Sequence, residues 1–191
     1  MKKIALIASF SLIGILIVLT IVAGFVKKSF LPEFAEANSI SYCFDNGASV
    51  QSVNPDETEY TELYSAFKGA FQKSFLTAMF DGSNKTGIEG EDIQSTTVSQ
   101  TGTYIRLNYV EDQTLTINGE IYKHQSSGVI VKYDKVWLTV TNSSTYSTVK
   151  MYLTLDASTR STCYVTTIAK TDDLYSIIQE LYERTTELEE E

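Results

Sequence analysis

The chain has 191 residues, with 24 acidic against 15 basic, a formal net charge of −9, and a single histidine. All 24 acidic residues but only 11 basic ones lie beyond Lys28; that part carries −13 and repels phosphate backbones, which argues against nucleic acid as a partner. Two cysteines and one histidine cannot assemble a four-ligand zinc site, and no P-loop, G-x-G-x-x-G or H-E-x-x-H motif marks a cofactor, so none is expected.

Residues 1–3 form a short tail. Ile4–Val26 then reads IALIASFSLIGILIVLTIVAGFV, without charge or proline, between Lys2-Lys3 and Lys27-Lys28. As a helix it would be roughly 34 Å long, against a bilayer hydrocarbon core of about 30 Å. The pattern predicts a transmembrane signal anchor that meets membrane lipid through residues 4–26. A cleaved secretory signal is the alternative, because Ala35-Glu36-Ala37 has the small-x-small form of a cleavage site. Against it, the apolar run exceeds the roughly 7–15 residues of such signals. Lysines nearly balance across the run. The short N-terminal tail therefore sets the expected topology: single-pass, with the C-terminal domain outside the cytoplasm.

Residues 27–54 read as a juxtamembrane linker holding a short strand at Ser39–Phe44 and a turn at Asn46-Gly47. Residues 55–191 read as one extracytoplasmic α+β domain. Asn54 suits a helix N-cap, Pro55 the first helical position, and Asp56, Glu57 and Glu59 the positive helix end. Apolar residues at Tyr60, Leu63, Tyr64, Phe67, Ala70, Phe71, Phe75 and Ala78 predict a long helix ending near Gly82. The line Phe67, Phe71, Phe75 is read as a core face rather than an aromatic-binding groove. Residues 82–96 read as a loop. Lys85 and Thr86 fall where a calcium loop needs a ligand and a glycine, so no metal is expected there.

From Thr97 to Ala169 the period becomes two. Ile105, Leu107 and Tyr109 alternate with polar residues, as do Val136, Leu138 and Val140, and Val149, Met151 and Leu153. Asn118-Gly119 signals a hairpin, and Tyr133-Asp134-Lys135 a turn. Five to six antiparallel strands follow from this spacing. A last helix is capped by Thr171, with Leu174, Ile177, Ile178, Leu181 and Leu188 on its apolar face and an acidic end. The fold class is α+β: a transmembrane helix, a long helix packed on a curved antiparallel sheet, and a C-terminal helix. In element order the domain resembles cystatin-like and nuclear-transport-factor-like domains. Single-pass proteins with such domains include periplasmic scaffold subunits of bacterial secretion and conjugation machines. The resemblance carries no residue across.

Chemistry-bearing residues are sparse. His124 lies near Ser126 and Ser127, but no G-x-S-x-G elbow accompanies them, so the chain is not expected to be an enzyme. Cys43 and Cys163 are either a disulfide, if the domain is extracytoplasmic, or two buried thiols. Trp137, Tyr152 and Tyr164 sit at strand positions facing away from the alternating aliphatics and are the candidate interaction surface. The sequence therefore points to a membrane-anchored interaction or scaffold module with a protein partner. A ligand-sensing domain with a pocket between the first domain helix and the sheet is the second reading.

Overall fold

The computed structural model describes residues 2–45, 49–74, 87–90, 102–117, 129–154 and 162–189, with the backbone alone for 2–12, 23, 87–90, 116–117, 129–130, 162–163 and 187–189. The chain divides into two units. One comprises residues 1–29 and 72–84, the other residues 30–71 and 85–191.

The first unit contains the helix α1 (Lys2–Phe25) and two short strands, β1 (Lys27–Ser29) and β4 (Gln72–Ser74). An uncharged, largely apolar run from Ile4 onward, without proline, keeps α1 continuous through its 24 residues. Its only described side-chain hydrogen bond is local, from Thr20 Oγ1 to the Leu16 carbonyl at 2.8 Å. β1 and β4 pair antiparallel, with Lys27 opposite Ser74, Lys28 opposite Lys73 and Ser29 opposite Gln72.

The second unit is α+β. Seven strands form one antiparallel sheet in the order β3-β2-β6-β7-β8-β9-β5. They are β2 (Ser39–Cys43), β3 (Gln51–Val53), β5 (Gly87–Gly90), β6 (Tyr104–Ile117), β7 (Val129–Thr139), β8 (Ser147–Thr154) and β9 (Thr162–Ala169). Four of them, β6 to β9, are the expected meander, and β2, β3 and β5 widen it beyond the five or six strands read from spacing. Directly opposed residues share a face. One face presents Ile40, Tyr42, Ile105, Leu107, Val136, Leu138, Met151, Leu153 and Val165, all buried, in register from β2 to β9. These join Tyr60, Leu63, Phe67 and Ala70 of α2 (Thr58–Ala70) and Leu174, Ile178 and Leu181 of α3 (Asp172–Glu189) in a single core.

Several expectations change. The helix read over 55–82 is shorter at both ends. Asn54-Pro55-Asp56-Glu57 forms a turn in which Glu57 N–H donates to the Asn54 carbonyl at 3.0 Å. The Glu57 carboxylate accepts the Asn54 N–H and the Asn54 side-chain amide, each at 2.9 Å, and α2 starts only at Thr58, with Glu57 as an N-cap that makes no side-chain cap bond. At the other end Gly69 weakens the last turn, and Phe71 leaves the helix as its C-cap. The Phe71 carbonyl instead accepts the Phe30 N–H at 2.9 Å. Phe67 and Phe71 still meet edge to face at 5.2 Å, in the core; Phe75 lies outside the described residues.

The turn read at Tyr133-Asp134-Lys135 is absent, since β7 runs straight through it. The irregularity is in its neighbour. Asn108 opposes Lys135 and Gln113 opposes Tyr133, so β6 bulges outward over 109–112. Tyr133 is buried against Tyr109 and Phe34, and this packing holds β7 straight.

The segment read as a linker also divides. Only Lys27–Ser29 belongs with α1. Phe30–Val53 is built into the second unit, with Phe30, Ala37, Ile40, Tyr42 and Val53 buried. Thr171 stands at the predicted helix boundary and its carbonyl accepts the Tyr175 N–H at 2.8 Å. Its hydroxyl, however, donates to the Thr141 carbonyl at 2.7 Å and ties α3 to the β7–β8 loop. The Asn118-Gly119 hairpin, the residue 82–86 and 91–96 parts of the predicted loop, and His124 with Ser126 and Ser127 lie outside the described residues.

Candidate interaction surfaces

The three aromatics singled out from the sequence do come together. On the sheet face away from the helices, one cross-strand row reads Ser41, Arg106, Trp137, Tyr152 and Tyr164, from β2 to β9. The Arg106 guanidinium lies 4.7 Å from the Trp137 ring centre, and Lys150 Nζ 4.1 Å from that of Tyr164. Tyr152 and Tyr164 are 5.8 Å apart, and Tyr104 packs on Trp137 at 5.5 Å. Arg106 donates from Nη2 to Ser41 Oγ at 3.0 Å, and Trp137 from Nε1 to Thr154 Oγ1 at 3.2 Å.

This row is not an open docking patch. Trp137 is 9% exposed and Tyr164 3%; Tyr152 is half-buried. The expectation of strand aromatics free to meet a partner is corrected accordingly. Burial also draws the Arg106 guanidinium below its usual range, opposed by the charges of Tyr104 and Asp134, and pushes the Tyr104 hydroxyl up. Arg106 Nε is buried without a hydrogen-bond partner, and the Trp137 ring lies against the guanidinium in addition to the Ser41 hydrogen bond and the charge of Asp134. The row is a packed polar–aromatic layer across five neighbouring strands. Sequence reasoning passed over Arg106. Its only signal was a polar position between Ile105 and Leu107, and the pairing with Trp137 appears only once the register is known.

Cys43 and Cys163 do not meet. Cys43 is buried on β2 opposite Tyr104, and Cys163 is on β9 opposite Leu153. Four strand spacings separate β2 from β9, about 19 Å at about 4.8 Å each. A disulfide needs Cα atoms within about 7 Å, so the bridge is not made within one chain.

Residues 30–38 form a strap over the second unit. The Phe30 carbonyl accepts from Thr167 Oγ1 at 2.6 Å, the Ala35 carbonyl from the Tyr109 hydroxyl at 3.0 Å, and the Ala37 carbonyl from the Tyr60 hydroxyl at 2.6 Å. Asn38 N–H donates to the Asn108 carbonyl at 2.9 Å. Burial pushes the Tyr60 hydroxyl up to about 12, helped by the negative charge of Glu36. The Tyr133 hydroxyl also rises to about 12 through burial, opposed by a backbone hydrogen bond with Ala35, and burial raises Tyr109 further still.

The exposed apolar surface is elsewhere. In the second unit, the exposed large hydrophobics among the described residues are Val50, Val110 and Tyr146, each isolated in sequence. In α1, Ile13, Ile15, Leu16, Ile17, Val18, Leu19, Ile21 and Val22 are all 51–59% exposed. At about 100° per residue, this run exposes apolar side chains around the whole circumference. Among the described residues no helix is long and apolar enough to cross a membrane. The unbroken run of described α1 side chains covers only Ile13–Val22, fewer residues than a span requires.

Among the described residues no group of three His, Cys, Asp or Glu side chains gathers as metal ligands would. No family model, characterised protein or solved structure matches this chain in comparison.

Proposed function

We propose that this chain is a membrane-anchored, non-catalytic interaction module. In this reading α1 holds it in a bilayer, and its α+β domain meets a protein partner outside the cytoplasm. The observation that carries the reading is the all-round exposure of apolar side chains on α1. A helix apolar on every side needs either a surrounding core or lipid. The sequence from Ile4 to Val26 continues the same character to a length sufficient for a bilayer.

The strap bears on the cleaved-signal alternative. Cutting after Ala37 would remove buried Phe30 and Ala37 and three carbonyls that accept from Thr167, Tyr109 and Tyr60. A released domain would lose part of its own core. The ligand-sensing alternative gains no support from α2, because Leu63 and Phe67 fill its contact with the sheet side chains.

The test is fractionation followed by purification in mild detergent. The full chain is expected to stay with membranes through alkaline extraction and to leave them only in detergent. It should also carry a stoichiometric protein partner. Recovery in the alkaline supernatant would sink the anchor. A partnerless chain whose melting point rises with a small ligand would replace scaffolding with sensing.

A further inference from the structure

We infer that Asn142 is an acceptor for an N-linked glycan, presented by the β7–β8 loop. The inference rests on the extracytoplasmic placement of the domain proposed above. Asn142-Ser143-Ser144 has the N-x-S/T pattern that oligosaccharyl transfer requires, with no proline at its centre. Four asparagines lie among the described residues: Asn38, Asn54, Asn108 and Asn142. The first three have their side chains committed. Asn38 Oδ1 accepts the Val110 N–H at 2.9 Å, Asn54 Nδ2 donates to Glu57 Oε1 at 2.9 Å, and Asn108 Nδ2 donates to Ser41 Oγ at 3.0 Å. None of those three has serine or threonine two residues on. Asn142 has, and its side chain makes no hydrogen bond among the described residues.

The loop between β7 and β8 is pinned at its base and open at its tip. Val140 N–H donates to the Thr103 carbonyl at 2.9 Å, and the Thr171 hydroxyl donates to the Thr141 carbonyl at 2.7 Å. Ser143 N–H then reaches back to the Thr141 carbonyl at 2.8 Å, closing a three-residue turn with Asn142 at its apex. Asn142 and Ser144 are both exposed, while Ser143 turns its hydroxyl to the Thr145 carbonyl at 3.4 Å. The turn therefore holds the acceptor amide and the hydroxyl of the pattern at the surface, where a transferase reaches both.

The reaction is a substitution at a sugar carbon. Asn142 Nδ2 forms a bond to the anomeric carbon of an oligosaccharide carried on a membrane lipid pyrophosphate. The bond from that carbon to the pyrophosphate oxygen breaks, the lipid pyrophosphate leaves with the electron pair, and the Nδ2 proton passes to a base of the transferase. No oxidation or reduction is involved. The product carries a bulky, hydrated group over the β7–β8 end of the sheet, so a protein partner meets the domain elsewhere.

The test uses the full chain purified in detergent from the membranes of its own cells. After digestion, mass spectrometry should find the peptide containing Asn142 with added hexose and hexosamine mass. Enzymatic release of the glycan in heavy-oxygen water should leave a labelled aspartate at that position. N142Q and S144A should abolish the glycosylated form, and S144T should keep it. Both positions are exposed, and S144A retains the acceptor amide, so its loss reads the pattern rather than misfolding. Asn84-Lys85-Thr86 has the same pattern, and N84Q should leave the Asn142 glycopeptide unchanged. Protease applied to the cytoplasmic face of sealed membranes separates the two readings. A domain that is protected there but wholly unmodified at Asn142 overturns the glycan site and leaves the topology standing. So does a glycan that persists in S144A. A domain cut from the cytoplasmic face overturns the extracytoplasmic placement and the glycan site together.

Discussion

α1 and α3 are both helices of several turns, and they treat their apolar side chains in opposite ways. In α3, Leu174, Ile178 and Leu181 form one buried stripe, while Ser176, Glu180, Glu183 and Arg184 face outward. In α1, every described side chain from Ile13 to Val22 is exposed. The difference lies in the pattern. Spacing of four and three residues leaves α3 a polar side, so it folds against a sheet and stays wetted on its back. The continuous run of α1 leaves no side for water. The same hydrophobic effect thus selects a protein neighbour for one helix and, on the reading proposed above, lipid for the other.

The largest effect should come from giving α1 a wet side. Leu16→Asp with Leu19→Asp places two carboxylates near the middle of the run, each costing about 2.5–3.5 kcal/mol on insertion. The double variant should move from the membrane pellet to the supernatant, while the melting of the α+β domain stays within a degree or so. Loss of domain stability without release would break the division between the two helices. Next in size is where the domain begins. A chain starting at Phe30 keeps the strap, whereas one starting at Asn38 loses buried Phe30 and Ala37 and their hydrogen bonds. Burial of one phenylalanine and loss of two or three hydrogen bonds amount to about 4 kcal/mol. Urea unfolding of the two truncations should differ by that much; equal midpoints would restore the cleaved-signal alternative.

Much of this architecture was legible. The 3.6-residue period of α3 and the alternation in β6, β8 and β9 placed those elements, because burial on one face leaves a direct trace in sequence. What was not legible depended on partners distant in the chain. Phe71 reads as helical by spacing, yet Phe30, 41 residues earlier, takes its carbonyl in a different structure. Tyr133-Asp134-Lys135 reads as a turn because a charged pair interrupts the alternation, but the slack is taken up in β6 at residues 109–112. The candidate surface failed for the same reason. Alternation places Trp137, Tyr152 and Tyr164 off the helix-facing side correctly, but period alone does not reveal whether that second side is wet. The strap was missed because its anchors are backbone carbonyls, which carry no sequence signal, held by tyrosines spaced far downstream.

A smaller effect than the strap deletion should come from the stripe itself. Ile178→Ala removes a fully buried side chain and should cost about 3 kcal/mol in unfolding free energy, with the membrane fraction unchanged. A shift in fractionation would mean that the two helices are not separable in the way their exposures imply. The strap tyrosines add a pH signature. Tyr60 and Tyr133 ionise near 12 when folded, against about 10 when unfolded. A raised folded value means that the native state holds the proton more tightly. Their contribution is complete below pH 10 and is lost as pH rises from about 10 to 12. Absorbance at 295 nm should show part of the tyrosine signal titrating only near 12, and a Tyr60→Phe chain should lose some of that late signal.

The smallest expected effect concerns the end of α2. Gly69 is exposed in the last helical turn, its φ is not in the left-handed region, and an added Cβ would meet nothing within 4 Å. Gly69→Ala should therefore stabilise the domain by about 0.5–1 kcal/mol, through lower unfolded-chain entropy and better helix propensity. The result sharpens the account of why α2 stops where it does. If glycine alone ends the helix, alanine should let it extend and pull Phe71 away from Phe30, which would offset the gain. If the Phe30–Phe71 backbone bond ends it, the full stabilisation should appear and the hydrogen-exchange protection of the Phe30 amide should persist. The second outcome is expected, because Phe71 is also fixed by burial and by its edge-to-face contact with Phe67.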